Sequence, residues 1–63
     1  MEYNIDSIVN KAINYGVSSW GRKEAMAIQI AVFWVDGWIA GKEENISEKD
    51  KQNIRNRVNT YKF

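Results

Sequence analysis

The apolar residues near the start of the chain recur with the period of an α-helix. The i, i+3, i+4, i+7, i+8 spacing of a single helix face is followed by Ile5, Ile8, Val9, Ala12 and Ile13. Asn4 is suited to cap this helix, and Gly16 is suited to end it in a left-handed conformation. The pattern therefore predicts a first helix over residues 4–15.

The middle of the chain is apolar around most of a helical circumference. Residues 30–35 are wholly apolar, and the polar residues recur every seven positions as a single line, namely Arg22, Gln29, Asp36 and Glu43. A helix of this kind is normally buried on several sides. The pattern predicts a long hydrophobic central helix over residues 22–40.

The ends and one interior position of this second helix are occupied by small residues. Ser18, Ser19 or Gly21 is available as its cap, and Gly41 as its terminator. Gly37 lies inside the predicted helix, where glycine costs about 1 kcal/mol relative to alanine. We therefore expect another backbone to approach Gly37.

A third helix is predicted over residues 47–62. Ser47 followed by Asp50 is close to a capping box, with Asp in place of Glu or Gln. A narrow apolar stripe follows at i, i+4, i+7, formed by Ile54, Val58 and Tyr61.

A β-hairpin is the alternative for the middle segment. Residues 28–35 are rich in β-branched and aromatic side chains, and Asp36-Gly37 is a hairpin-turn dipeptide. The second arm before Gly41 is too short to pair with an eight-residue strand, and no further strand completes a sheet. We therefore predict an all-α chain, folded as one small three-helix bundle.

Composition restricts the chemistry of the 63 residues. The chain contains no Cys, His or Pro, so it can form no disulfide, no thiolate or imidazole metal site and no Ser-His or Cys-His pair. We predict no cofactor, no metal and no enzymatic activity. The lack of cysteine and of a signal peptide favours a cytoplasmic location.

Size and apolar surface together favour association. A domain near this length buries only about 60% of its unfolded surface, and small domains often compensate by oligomerising. The outer helices have too little apolar surface to cover the whole central helix, so we expect a homodimer or another protein partner, although a monomer core is the alternative. The predicted interface comprises Ile30, Phe33, Trp34, Trp38 and Trp20. Trp20 has an alternative role as a plug at the end of the bundle.

The function predicted from these features is that of a non-enzymatic protein-binding module. Its small size and Asn- and Ile-rich composition suggest an inhibitor of the type encoded by phages or mobile elements, which would act by occluding a host protein. Nucleic-acid binding is the alternative, through the basic residues Lys51, Arg55, Arg57 and Lys62. The acidic Glu43 and Glu44 before the third helix argue against it, because they would repel phosphate.

Two further hypotheses concern the central segment. Residues 25–41 are apolar apart from Gln29 and Asp36, but a membrane span needs about 20 apolar residues and a central Asp is costly. We therefore predict no contact with a membrane. Asp36, between Val35 and Gly37, is a candidate acid or base with a raised pKa, but no second catalytic group stands at a telling spacing.

Overall fold

A computed structural model describes residues 3–42 and 45–63. Within these residues the chain forms three helices, α1 (Ile5–Trp20), α2 (Ala25–Gly41) and α3 (Glu48–Asn59), and no strand. The predicted all-α three-helix bundle is confirmed, and the hairpin alternative is wrong. With 17 residues, α2 is only one residue longer than the 16-residue α1, so its apolar character rather than its length distinguishes it.

The first helix begins as predicted but ends later. The side-chain oxygen of Asn4 accepts a hydrogen bond from the Ser7 amide at 3.1 Å, which confirms the N-cap. The helix then continues through Gly16 and ends at Gly21, which has a φ of 91° and donates its amide to the Val17 carbonyl. The prediction that Gly16 ends α1 is wrong, since the left-handed residue is Gly21.

Gly16 instead allows α1 and α2 to approach each other closely. A Cβ atom on Gly16 would lie 2.0 Å from the carbonyl oxygen of Ala27 and 3.2 Å from the amide nitrogen of Ala31. Ala12 and Ala31 are completely buried beside this contact. The α1–α2 interface is therefore built from backbone and methyl groups, and it is the most extensive helix pair in the bundle.

The second helix begins later than predicted. Ser18 and Ser19 belong to α1, so neither caps α2. Glu24 occupies the N-cap position without a side-chain capping bond, and its carboxylate accepts a hydrogen bond from the Trp20 indole. The expected start at residue 22 is wrong because the turn that follows Gly21 extends to Glu24.

The third helix is capped as predicted and is shorter than predicted. Ser47 Oγ accepts a hydrogen bond from the Asp50 amide at 3.2 Å. The helix ends at Asn59, and the Thr60 hydroxyl donates to the Asn56 carbonyl at 2.7 Å. Tyr61 therefore lies outside α3, where it is exposed and packs edge-on against Phe63.

The core consists of small and aliphatic side chains contributed by all three helices and by the loop before α3. The buried hydrophobic residues are Ile8, Val9, Ala12, Ile13, Ala27, Ala31, Val35, Ile39, Ile46, Ile54 and Val58. All eight aromatic residues lie in the described parts of the chain, and none of them is fully buried. The aromatic side chains therefore lie at the edge of the core or outside it.

Tyr3 connects all three helices at one end of the bundle. It stands before the N-cap of α1, its ring packs edge-on against Trp38 of α2 with the centroids 5.8 Å apart, and its hydroxyl donates to the Asp50 carboxylate of α3. The hydrogen bond to Asp50, together with burial and the negative charge of that carboxylate, raises the pKa of Tyr3 above its ordinary value of 10.0.

Candidate functional site

One side of α2 is covered by neither α1 nor α3, and it carries no polar side chain. We call this surface the outer face, and it comprises Met26, Ile30, Phe33, Gly37, Ala40 and Gly41. Phe33 at its centre is 75% exposed, Met26 is 40% exposed, and Ile30 is half-buried. A phenylalanine this exposed in the middle of a helix marks the face as a candidate binding surface.

The helical period explains why these residues point outward. The buried residues of α2 recur every four residues, slightly more than one turn, at Ala27, Ala31, Val35 and Ile39. At 100° per residue, Phe33 is about 160° from both Ala31 and Val35. Packing the alanine side against α1 and α3 therefore turns the phenylalanine toward solvent.

The outer face is open at its glycines. A Cβ atom built on Gly37 or Gly41 would have free space around it. Apart from the adjacent residues and the nearby backbone of α2 itself, no atom of the described residues lies within 4 Å of it. The expectation that a second backbone approaches Gly37 is therefore wrong within the described chain, where the close approach occurs at Gly16. The cost of a glycine inside α2, about 1 kcal/mol, is not offset by any packing that the described residues provide.

The predicted interface residues occupy three different places. Ile30 and Phe33 lie on the outer face. Trp34 and Trp38 are half-buried and pack against the core, Trp34 at the border of the outer face and Trp38 against Tyr3. Trp20 is the last residue of α1, where it is 44% exposed and hydrogen-bonded to Glu24.

Sequence reasoning missed four members of the outer face, namely Met26, Gly37, Ala40 and Gly41. A signal for most of them is present in the sequence. Met26, Ile30, Phe33, Gly37 and Ala40 follow one another in alternating steps of four and three residues, which is the spacing of a helix seam. The uniformly apolar surroundings of residues 30–35 concealed it.

The basic residues of the nucleic-acid alternative are mostly engaged with carboxylates. Arg55 Nε contacts Asp36 at 3.2 Å, Arg57 contacts Asp6 at 2.5 Å and Lys51 contacts Glu48 at 3.0 Å. The fourth, Lys62, lies beyond the end of α3 rather than on the predicted helical flank. Two of these ion pairs connect α3 to α1 and α2, and a phosphate ligand would have to compete with them.

Asp36 lies on the exposed polar line of α2 and not in an apolar pocket. Its side chain is 48% exposed and accepts the hydrogen bond from Arg55. Asp36 and Gln29 border the outer face on the side of α3.

A shallow groove of about 310 Å³ lies at the opposite side of α2, between the start of α1 and the end of α2. Its lining is mixed, with Tyr3, Asn4, Ser7, Ile8, Lys11, Trp38, Lys42 and Asn45. Of the predicted interface residues only Trp38 lines it. Glu43 and Glu44, the acidic pair predicted to oppose phosphate, lie outside the described residues.

Comparison with known proteins identifies no relative. No family model, no curated protein and no solved structure matches the chain. In the described residues no helix is both long enough and apolar enough to span a bilayer. The function must therefore be inferred from the outer face itself.

Proposed function

We propose that the chain is a non-enzymatic protein-binding module, which places the outer face of α2 into an apolar site on a target protein. The observation that carries the proposal is the 75% exposure of Phe33 in the middle of a helix. Burying a phenylalanine side chain contributes about 1.5–3 kcal/mol. An exposed aromatic surrounded by Met26, Ile30 and two open glycines is suited to act as the anchor of an interface.

The chemistry of the outer face favours a protein over a nucleic acid. None of its six residues carries a charge or a hydrogen-bonding side chain, whereas nucleic-acid binding depends mainly on cations that contact phosphate. Three of the four candidate cations are held in ion pairs with carboxylates. The preferred partner is therefore an apolar helix or groove of a protein.

The face is presented on a helix that packs closely against its neighbours. Gly16 allows the backbones of α1 and α2 to meet at Ala27, and the exposed ion pairs Arg57–Asp6 and Arg55–Asp36 join α3 to the other helices. A rigid helix loses little conformational entropy on binding. Such a module blocks its target by occupying the site, as an inhibitor of phage or mobile-element type would.

The proposal is tested by photo-crosslinking from the centre of the face. p-Benzoyl-phenylalanine is incorporated at Phe33 and, as a matched control, at Asn53, which is exposed on α3. The two variants are illuminated in a lysate of the source cells, and adducts are identified by mass spectrometry.

We expect a discrete adduct with one other protein from position 33 and none from position 53. Adding an excess of unlabelled wild-type chain should suppress it, while an excess of the Phe33→Glu variant should not. No adduct with another protein from position 33, or equal labelling from both positions, would contradict the proposal.

A further inference from the structure

The residues of the outer face have the spacing of a two-helix seam. Met26, Ile30, Phe33, Gly37 and Ala40 are separated by four, three, four and three residues, so they repeat the a and d positions of a heptad over the length of α2. A seam of this kind keeps one face directed at a partner that runs along the helix at a small crossing angle. The partner expected from the spacing is another helix.

The sizes of the side chains along this seam divide it into two halves. The three large residues, Met26, Ile30 and Phe33, occupy the N-terminal half, and the three small ones, Gly37, Ala40 and Gly41, occupy the C-terminal half. Well-packed helix pairs place large residues opposite small ones. Two copies of the outer face are therefore complementary in shape when the two α2 helices run in opposite directions.

We infer that the outer face binds the outer face of a second copy of this chain, with the two α2 helices antiparallel. A twofold axis passes beside Phe33, Ile30 faces Gly37 of the second copy, and Met26 faces its Ala40 and Gly41. Each contact is made twice, as an isologous interface requires. The inference rests on the proposed function, since both assign the outer face to contact with protein.

A parallel arrangement fits the same residues poorly. It would set all three large residues opposite their own equivalents, whereas the antiparallel pair does so only for Phe33 at the axis, and it would set Gly37 opposite Gly37. The pair would then be crowded at one end and would leave a void at the other, and both defects are unfavourable. Reversing the direction of the second helix instead places its large side chains at the open space beside Gly37 and Gly41.

The helix dipoles agree with the antiparallel direction. Reversing the second copy places the positive N-terminal end of each α2 beside the negative C-terminal end of the other.

The area that the two outer faces would bury is small for an interface between proteins. α2 has 17 residues, which corresponds to about 25 Å of helix, and one helix face of that length buries less than the roughly 800 Å² per partner of a standard interface. Each chain also has a core of its own. We therefore expect a reversible dimer, which leaves the face accessible to a target that binds more tightly.

Engineered cysteines test the direction of the helices, because the chain has no cysteine of its own. We compare Ile30→Cys, Gly37→Cys, the double variant, and Asn53→Cys as the measure of random collision. Within one chain, positions 30 and 37 are about 10 Å apart along α2, too far for an internal disulfide.

The antiparallel seam predicts that under mild oxidation only the double variant forms a disulfide-linked dimer above the Asn53→Cys background. Efficient linkage of either single variant would overturn the antiparallel arrangement. Linkage of none of the variants above background would overturn the pairing of the two faces. Far-UV circular dichroism of each reduced variant identifies any that fails to fold.

Sedimentation velocity of the unmodified chain gives a second measurement that does not depend on these substitutions. We expect the wild type to change from monomer to dimer between low micromolar and millimolar concentration, and Phe33→Glu to remain monomeric. A monomeric wild type throughout this range would overturn self-pairing.

The outcome is distinguishable from that of the proposed function. A monomeric chain that still crosslinks to another protein from position 33 refutes the dimer alone. A dimer whose only adduct from position 33 is with itself supports the pairing and refutes the target.

Discussion

A methyl group on Gly16 would lie 2.0 Å from the carbonyl oxygen of Ala27, well inside the contact distance of carbon and oxygen. The two backbones can meet there only because residue 16 has no side chain. This contact sets the distance between α1 and α2, and thereby the direction in which the remaining residues of α2 point.

Replacing Gly16 with alanine should strongly destabilise the bundle. The gain in helix propensity, about 1 kcal/mol, is outweighed because the added Cβ meets backbone atoms that cannot move aside without separating the helices. We expect the free energy of unfolding to fall by about 2 kcal/mol or more, a large share of the total for so small a domain. Urea denaturation followed by circular dichroism measures it, and an unchanged midpoint would refute the close contact.

The same substitution at Gly37 should have the opposite effect. Among the described residues nothing stands in the way of a Cβ at this position, so the monomer gains helix propensity, about 0.5–1 kcal/mol. The measurement is urea denaturation at low micromolar concentration, where the monomer prevails. In sedimentation experiments at high concentration, Gly37→Ala should weaken the dimer because the methyl group fills the space that Ile30 of the second copy would occupy.

Phe33→Glu should separate binding from folding. Because Phe33 is 75% exposed, we expect the free energy of unfolding to change by no more than about 0.5 kcal/mol, while binding of a hydrophobic dye falls sharply. Ile54→Ala, at a completely buried position of α3, is the matched contrast and should cost about 2–5 kcal/mol. Comparable losses of stability in the two variants would mean that Phe33 belongs to the core.

The Tyr3–Asp50 hydrogen bond predicts a dependence on alkaline pH. The pKa of Tyr3 is raised in the folded chain above its ordinary value of 10.0, so the neutral phenol is the form that the fold favours. Its contribution to stability is complete below pH 10 and is lost as the pH rises through the folded-state pKa. The difference in unfolding free energy between the wild type and Tyr3→Phe should therefore shrink above pH 10. A difference that stays constant across this range would contradict the assignment.

Local signals in the sequence were sufficient to predict that the three helices exist and to predict two of their caps, but they misplaced the end of α1, the start of α2 and the end of α3. The caps of α1 and α3, Asn4 and Ser47, could be predicted because each capping bond joins two residues that are only three apart in the sequence. Gly16 could not be interpreted in the same way. A glycine inside an apolar pattern fits either a helix end or a close approach, and the choice depends on Ala27, which lies eleven residues away in the sequence and on another helix.

The candidate site was predictable only in part, for a similar reason. Residue type favoured the tryptophans as interface anchors, but the side of α2 that faces solvent is decided by where α1 and α3 pack. Because α1 packs against the side of α2 that carries Ala27 and Ala31, Trp38 is directed toward Tyr3 and Phe33 is directed toward solvent. Phe33 and Ile30 were named from the sequence as interface residues, and that role stays a prediction. The small residues beside them could be assigned to the outer face only once the exposed side of α2 was known.

The distribution of side-chain volume in this bundle has a consequence for how the chain can change. The residues that determine the fold are glycine, alanine and aliphatic side chains directed inward, and the outer face contributes little to holding the helices together. Substitutions on that face can therefore accumulate without unfolding the chain. A few outward residues on α2 can therefore change the chemistry of this surface, while the three-helix framework is left as it is.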